Sequence, residues 1–73
     1  MAMTGEDLKS AAEAEGDVFA SEEKHPETEV VSVHTKNGRT YWAVGDVLHR
    51  KGGLKMGVLC QKKLGEKWVD QTA

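Results

Sequence analysis

The sequence predicts a mostly β fold, with α+β as the alternative, and three observations lead to this expectation. An Asn37-Gly38 pair stands between two runs in which apolar and polar residues alternate. Further glycines divide the C-terminal half into segments of strand length. The only proline, Pro26, follows an acidic stretch with few large apolar residues. We therefore expect a small antiparallel sheet or a partly open barrel of four to five short strands, preceded by a disordered acidic N-terminal arm.

The predicted arm covers residues 1–28. Across residues 1–29 nine acidic residues oppose two basic ones, a net charge of −7, and large apolar residues are few. Such a composition does not offset the entropy of ordering, so flexibility is expected. A capping signature at Thr4 followed by helix-forming residues predicts a nascent helix near 5–15. The arm either becomes ordered on a partner or serves only as a solubilising tail.

The strongest local signal is a hairpin at residues 37–38. Asn-Gly favours a two-residue type I′ turn, which fixes the register of the flanking strands. That register pairs Val33 with Trp42 and His34 with Tyr41. Val33 and Trp42 then lie on the core face, whereas His34 and Tyr41 lie on a mixed, partly solvated face.

The remaining segments complete a meander over residues 29–70. Residues 46–51 are compatible with a strand or with a short helical turn, and the strand is favoured because one helical turn buries little. Residues 54–61 are expected to form a strand bent at Gly57, and 62–66 a tight turn. A returning strand at 67–69 would close the core with Trp68, and residues 71–73 are expected to fray.

Size and composition exclude several classes of function. A chain of 73 residues forms at most one small domain, which can hardly build the walled pocket of an enzyme. The sequence has no apolar run of membrane-spanning length, no signal-peptide pattern and a single cysteine, Cys60. We expect a cytoplasmic, monomeric protein without enzymatic activity.

Metal and nucleophilic chemistry find no support in the residue spacing. His25, His34, His49 and Cys60 match no zinc template. Cys60 follows two apolar residues, a setting in which a thiol is usually inert. The clustered carboxylates lie in the predicted arm, where no pocket fixes their separation. No metal and no cofactor are expected.

The glycines of residues 45–58 carry one resemblance. Gly45-Asp46, Gly53 and Gly57 stand ahead of Val58 in a series that resembles the start of the KOW element. The resemblance implies a small SH3-like barrel that contacts RNA or protein, although Arg50 and Met56 depart from its pattern. Residues 30–73 carry eight basic and three acidic residues, a net charge of +5, which a nucleic-acid-binding module would use to attract phosphates.

A second resemblance concerns the whole chain. In its small size, acidic tail, basic mini-domain and lack of catalytic motifs, it resembles small phage-encoded proteins that bind host RNA polymerase. This resemblance implies a protein-binding regulator that docks on a larger host machine, with bacterial RNA polymerase the favoured target, and that inhibits or modulates transcription or promotes antitermination. The alternatives are a KOW-like nucleic-acid-binding module and a phage inhibitor of another host defence protein.

The expected contact residues come from both halves of the chain. The arm would offer apolar and acidic groups to a partner, and the sheet would offer basic groups together with two exposed ring side chains. The residues expected to bind the partner are Val18, Phe19, Glu22, Glu23, His34, Arg39, Tyr41, Lys51, Lys62 and Lys63.

Overall fold

The computed structural model describes residues 3–28, 30–52 and 60–71. Over these ranges the chain forms α1 (Gly5–Ala14), β1 (Phe19–His25), β2 (Val30–Thr35), β3 (Arg39–Val44), β4 (Val47–Gly52), β5 (Cys60–Leu64) and β6 (Lys67–Gln71). The strands form one open antiparallel sheet in sequence order, β1 to β6. The mostly β prediction is confirmed. The described ranges contain six strands rather than four to five, because β1 comes from the segment predicted to be an arm.

Helix α1 begins with the capping signature that the sequence indicates. The Thr4 hydroxyl accepts a hydrogen bond from the Asp7 backbone N–H at 3.2 Å, and the Asp7 carboxylate accepts one from the Thr4 N–H at 3.0 Å. This reciprocal pair satisfies two N–H groups that would otherwise lack partners. Gly16, with φ of 86°, follows the last turn in a left-handed conformation that favours glycine. The predicted helix near 5–15 is therefore present as α1.

The apolar side of α1 forms part of the core. Leu8 and Ala12, one turn apart, are buried against Val33, Tyr41 and Leu48 of the sheet. This packing stabilises a helix that would be too short to persist in isolation.

The expected disorder of residues 1–28 is thus corrected for the described part of that segment. Residues 5–14 form a helix against the sheet, and Phe19–His25 pairs with β2. The average composition of the segment conceals the spacing of Leu8 and Ala12, which places its few apolar groups on one side of a helix.

The hairpin between β2 and β3 differs by one residue from the predicted register. The observed pairs are Val33 with Tyr41 and His34 with Thr40, so the loop contains three residues, 36–38. The Gly38 N–H donates to the Thr35 carbonyl at 3.1 Å, and Gly38 adopts φ of 85°. A three-residue loop with glycine in the left-handed region is the next most common hairpin connection after the two-residue turns.

This shift exchanges the two faces of β3. Tyr41, expected on the exposed face, is 0% exposed and packs in the core. Trp42, expected in the core, lies on the opposite face and is only half-buried. A slip of one residue reverses every side chain because the side-chain period of a strand is two.

The other turns agree in part with the predictions. Residues 47–52 form strand β4, which settles the alternative in favour of the strand. The turn at 65–66 joins β5 to β6 with Leu64 opposite Lys67, so Lys62 and Lys63 lie in a strand and not in the predicted turn. The predicted bend at Gly57 and the KOW-like residues after Gly52 lie outside the described residues. Gln71, expected to fray, belongs to β6.

The sheet has two distinct faces. Side chains alternate between faces along each strand, and paired residues share a face. The helix face, which packs against α1, includes Val33, Tyr41 and Leu48. The outer face includes His34, Trp42 and the residues paired with them.

Candidate functional site

The end of α1 is attached to the helix face through Glu15. Its carboxylate accepts hydrogen bonds from the Lys63 ammonium and from the Trp68 indole N–H, both at 3.1 Å. The Arg50 guanidinium lies 3.6 Å from the same carboxylate and stacks over the Trp68 ring at 4.0 Å from its centroid. The helix end, β4 and the β5–β6 hairpin therefore meet at one polar cluster.

A second carboxylate, Asp17, is almost fully buried beside the β2–β3 loop. It accepts hydrogen bonds from the Tyr41 hydroxyl, from the Asn37 amide at 2.6 Å and from the Arg39 guanidinium at 3.2 Å. The Asn37 side chain is thereby committed to a residue 20 positions away. This long-range contact accompanies the three-residue loop, and no local sequence pattern contains it.

These surroundings change the acidity of both carboxyls. Burial alone raises the pKa of Asp17, but the hydrogen bonds from Tyr41, Asn37 and Arg39 outweigh it, so the pKa lies below its ordinary value of 3.8. Burial likewise raises the pKa of Glu15, and Lys63 and Trp68 reverse that effect, so its pKa lies below 4.5. Burial and the bond to Asp17 raise the pKa of the Tyr41 hydroxyl. Both carboxylates are therefore ionised at neutral pH.

The two opposite charges seen in the sequence partly neutralise each other inside the fold. Asp17 and Glu15 bind Arg39, Arg50 and Lys63, which are three of the eight basic residues of the C-terminal half. Consequently Arg39 and Lys63, expected to contact a partner, make intramolecular ion pairs, and Tyr41 is enclosed by the core.

The outer face contains a depression over β1 to β4, which we term the outer cleft. Its volume is about 440 Å³, within the range of small ligand sites. Strands β2 and β3 are paired at only two positions, whereas β3 and β4 are paired at six. The cleft is lined by Glu23, His25, Val30, Ser32, His34, Thr40, Trp42 and Lys51.

One wall of the outer cleft is a polar network. The His34 ring bonds through Nε2 to the Glu23 carboxylate at 3.3 Å and through Nδ1 to the Thr40 hydroxyl at 3.1 Å. His25 Nε2 lies 3.4 Å from the Ser32 hydroxyl and 4.0 Å from the Glu23 carboxylate. The wall is thus fixed by cross-strand contacts, which preorganise it for a ligand.

The opposite wall is aromatic and basic. The Trp42 ring stacks on His49, with centroids 5.5 Å apart and planes inclined by 16°. Lys51 is exposed and, within the described ranges, makes no ion pair. The sequence did not reveal Trp42 as a surface residue, because the expected two-residue turn placed it in the core. Only the correct strand register would have predicted Trp42 at the surface.

Among the described residues, four exposed aliphatic side chains lie on the outer face of the sheet. Val30, Val44 and Leu64 stand at strand ends, and Val69 lies within β6. Their exposed fractions identify an uncovered apolar margin: Val30 40%, Val44 60%, Leu64 49% and Val69 38%.

The structure brings together only some of the residues expected to bind a partner. His34, Lys51 and Glu23 line the outer cleft, and Lys62 pairs with His49 nearby on the same face. Val18 is 57% exposed and lies before β1, and it is not part of the lining of the outer cleft. Phe19 packs against the core beneath Lys9, and the Glu22 carboxylate lies beside Gly5 at the start of α1.

Groups suited to other chemistry are sparse in the described part of the chain. There, no set of three or more His, Cys, Asp or Glu side chains is arranged to hold a metal ion. Cys60 is half-buried and pairs across the sheet with Lys51. Among the same residues, no helix has the length and apolar character needed to cross a membrane.

Comparison with known proteins found no relative. No protein-family model, no curated protein and no solved structure matches the chain.

Proposed function

We propose that this protein is a non-catalytic binding module that docks on a larger protein through the outer face of its sheet. The observation that carries the proposal is the unequal covering of the two faces. Helix α1 buries Val33, Tyr41 and Leu48 on one face, whereas the other face carries the half-buried Trp42 and the exposed aliphatic margin. Exposed apolar groups concentrated on one side of a small domain are typical of interaction surfaces.

The distribution of charge supports the same orientation. Lys51, Lys62 and Lys67 lie on the outer face, by the pairing of Thr40 with Lys51, His49 with Lys62 and Leu64 with Lys67. The exposed side of α1 carries Glu6, Asp7 and Glu13. Such a separation favours the approach of a partner with an acidic surface to the outer face and speeds the encounter.

The favoured partner is bacterial RNA polymerase, with inhibition or modulation of transcription as the outcome. The support is the whole-chain resemblance in size and charge to phage-encoded polymerase-binding proteins, together with a docking face on a domain that lacks catalytic motifs. A partner among host defence proteins would use the same face and would leave transcription unaffected.

Purified polymerase tests the proposal directly. The full chain, immobilised through an N-terminal tag, is expected to retain polymerase and to change the yield of in vitro transcription. Leu64→Asp, which places a charge in the aliphatic margin, should reduce both effects. Glu13→Gln on the exposed side of α1 serves as the control. Absence of retention and of any transcriptional effect would exclude polymerase as the partner.

A second candidate function, nucleic-acid binding, is favoured by one observation. The stacked Trp42 and His49 rings lie beside Lys51 and Lys62, and single strands bind where aromatic platforms adjoin basic groups. Gel-shift titration with single- and double-stranded probes at several salt concentrations distinguishes the candidates. Binding that weakens steeply with salt and is lost in Trp42→Ser would support this second function.

A further inference from the structure

The shape of the outer cleft restricts what can occupy it. Its lining comes from β1 to β4, and along β2 it runs from Val30 to His34. Four residue steps along a strand span about 13 Å, which accommodates about four residues of an extended chain.

The chemistry of the walls is asymmetric. Lys51 and Trp42 belong to the β3–β4 side, and Glu23 belongs to the β1–β2 side, where it contacts His34. An occupant with a carboxylate toward Lys51 and an apolar group on Trp42 satisfies the first wall. Its chain near Glu23 must be uncharged or basic, because a carboxylate there would be repelled.

Resting on the docking function proposed above, we infer that the outer cleft binds an extended acidic peptide segment of the partner protein, with an apolar side chain seated on Trp42. Charge complementarity identifies this occupant: Lys51 and Lys62 lie on this face without an ion-pair partner among the described residues. Nucleic acid fits less well, because the Glu23 carboxylate would face its phosphates and Trp42 is the single indole on this face.

A second copy of the chain does not supply the occupant from its described residues. Among the described residues, adjacent acidic residues occur only in α1 and β1, and both elements are already engaged. Leu8 and Ala12 of α1 are buried in the core, and β1 pairs with β2. The occupant therefore comes from another protein.

A defined peptide tests the inference on the full chain. The probe is a fluorescein-labelled heptapeptide with a central phenylalanine, aspartates and glutamates on one side of it and serines and glycines on the other, and its binding is followed by fluorescence anisotropy. A matched peptide with lysines in place of the acids should not bind. Lys51→Glu is expected to weaken binding of the acidic peptide at least about tenfold, because attraction becomes repulsion. Lys36→Glu, the same charge change in the exposed β2–β3 loop, should alter it less than about twofold.

Two variants test the role of the Trp42 indole. Trp42→Ser should abolish peptide binding, with circular dichroism melting used to confirm folding. If that variant does not fold, Trp42→Phe replaces it, and a measurable loss of affinity smaller than that of Lys51→Glu is expected. Equal binding of the acidic and basic peptides, or unchanged affinity in Lys51→Glu, would overturn the inference.

Two further results separate this inference from the docking proposal. If the unsubstituted protein binds polymerase but not the peptide, and polymerase binding survives in Lys51→Glu and Trp42→Ser, docking stands and the peptide-binding cleft is wrong. If oligothymidylate displaces the peptide and depends on the same two residues with a steep salt response, the cleft is a nucleic-acid site and the inference is wrong.

Discussion

The indole N–H of Trp68 donates a hydrogen bond of 3.1 Å to the carboxylate of Glu15, a residue 53 positions earlier in the chain. Lys63 binds the other oxygen of that carboxylate at 3.1 Å. These bonds connect the first helix to the last hairpin. The acidic N-terminal segment is therefore an integral part of the folded domain, and its loss would affect the whole sheet.

Truncation of Leu8 should destabilise the protein far more than truncation of an exposed residue in the same segment. Leu8 is 1% exposed and packs on Val33 and Tyr41, whereas Val18 is 57% exposed. Leu8→Ala is expected to lower the free energy of unfolding by about 3 kcal/mol, and Val18→Ala by less than about 0.5 kcal/mol. Urea denaturation followed by circular dichroism measures both. Equal, small effects would indicate that α1 does not pack on the sheet in solution.

Neutralising Asp17 should also be costly. Asp17→Asn removes the charge that faces Arg39 and replaces an acceptor of the Tyr41 and Asn37 hydrogen bonds by an amide. We expect a loss of about 3 kcal/mol, because a half-buried guanidinium would remain without its counter-charge. Glu13→Gln on the exposed side of α1 should change stability by less than about 0.5 kcal/mol. Comparable losses in the two variants would argue against the buried network.

Acid should unfold the protein through the same groups. The folded-state pKa values of Glu15 and Asp17 lie below 4.5 and 3.8, so their contribution to stability is fully present above those ordinary values. It is lost as the pH falls through the lowered folded-state values. The free energy of unfolding, measured in urea from pH 7 to pH 3, should be insensitive to these groups near neutrality and decline below about pH 4. The decline should be shallower in Asp17→Asn, and an identical slope would exclude Asp17 as a cause.

The sequence was sufficient for α1 and for most of the strands, but not for β1 or for the register of the β2–β3 hairpin. The Thr4 cap and the helix-forming residues after it identified α1, and the glycines located the turns between strands. The prediction for the β2–β3 loop is wrong by one residue, because it rests on the local turn preference of Asn-Gly and does not include the contact between Asn37 and Asp17. The Asp17 carboxylate accepts a hydrogen bond from the Asn37 amide, 20 positions away. Long-range hydrogen bonds of this kind leave no periodic pattern in the sequence.

The same contacts determine which of the candidate residues lie at the outer cleft. Expected exposure and charge predict His34 and Lys51 as contact residues, and both line the outer cleft. Tyr41 and Trp42 exchanged roles because a slip of one residue exchanges the faces of a strand. Arg39 is predicted to be an unpaired surface cation, but within the fold it forms an ion pair with Asp17. Charge counts along the chain do not distinguish a surface cation from an internal one.

Alanine substitution tests the close backbone contact at Gly52, at the end of β4. Gly52 has φ of 87°, and a Cβ placed there would lie 2.5 Å from the Gly38 carbonyl oxygen. Gly65 has φ of 64° with no atom of the described residues within 4 Å of such a Cβ. Both alanine variants incur the left-handed strain of about 1 kcal/mol, but Gly52→Ala must also displace the β2–β3 loop. Gly52→Ala should therefore lower the midpoint of thermal unfolding more than Gly65→Ala, and the reverse order would contradict the contact.

The most direct test of the docking proposal compares two valines with almost equal exposure. Val44 on the outer face is 60% exposed, and Val18 before β1 is 57% exposed. Biolayer interferometry with purified bacterial RNA polymerase would measure the affinity of Val44→Glu and of Val18→Glu. Docking through the outer face predicts a loss of at least about tenfold for Val44→Glu and less than about twofold for Val18→Glu. Loss of affinity in Val18→Glu with none in Val44→Glu would show that the N-terminal segment, and not the outer face, contacts the partner.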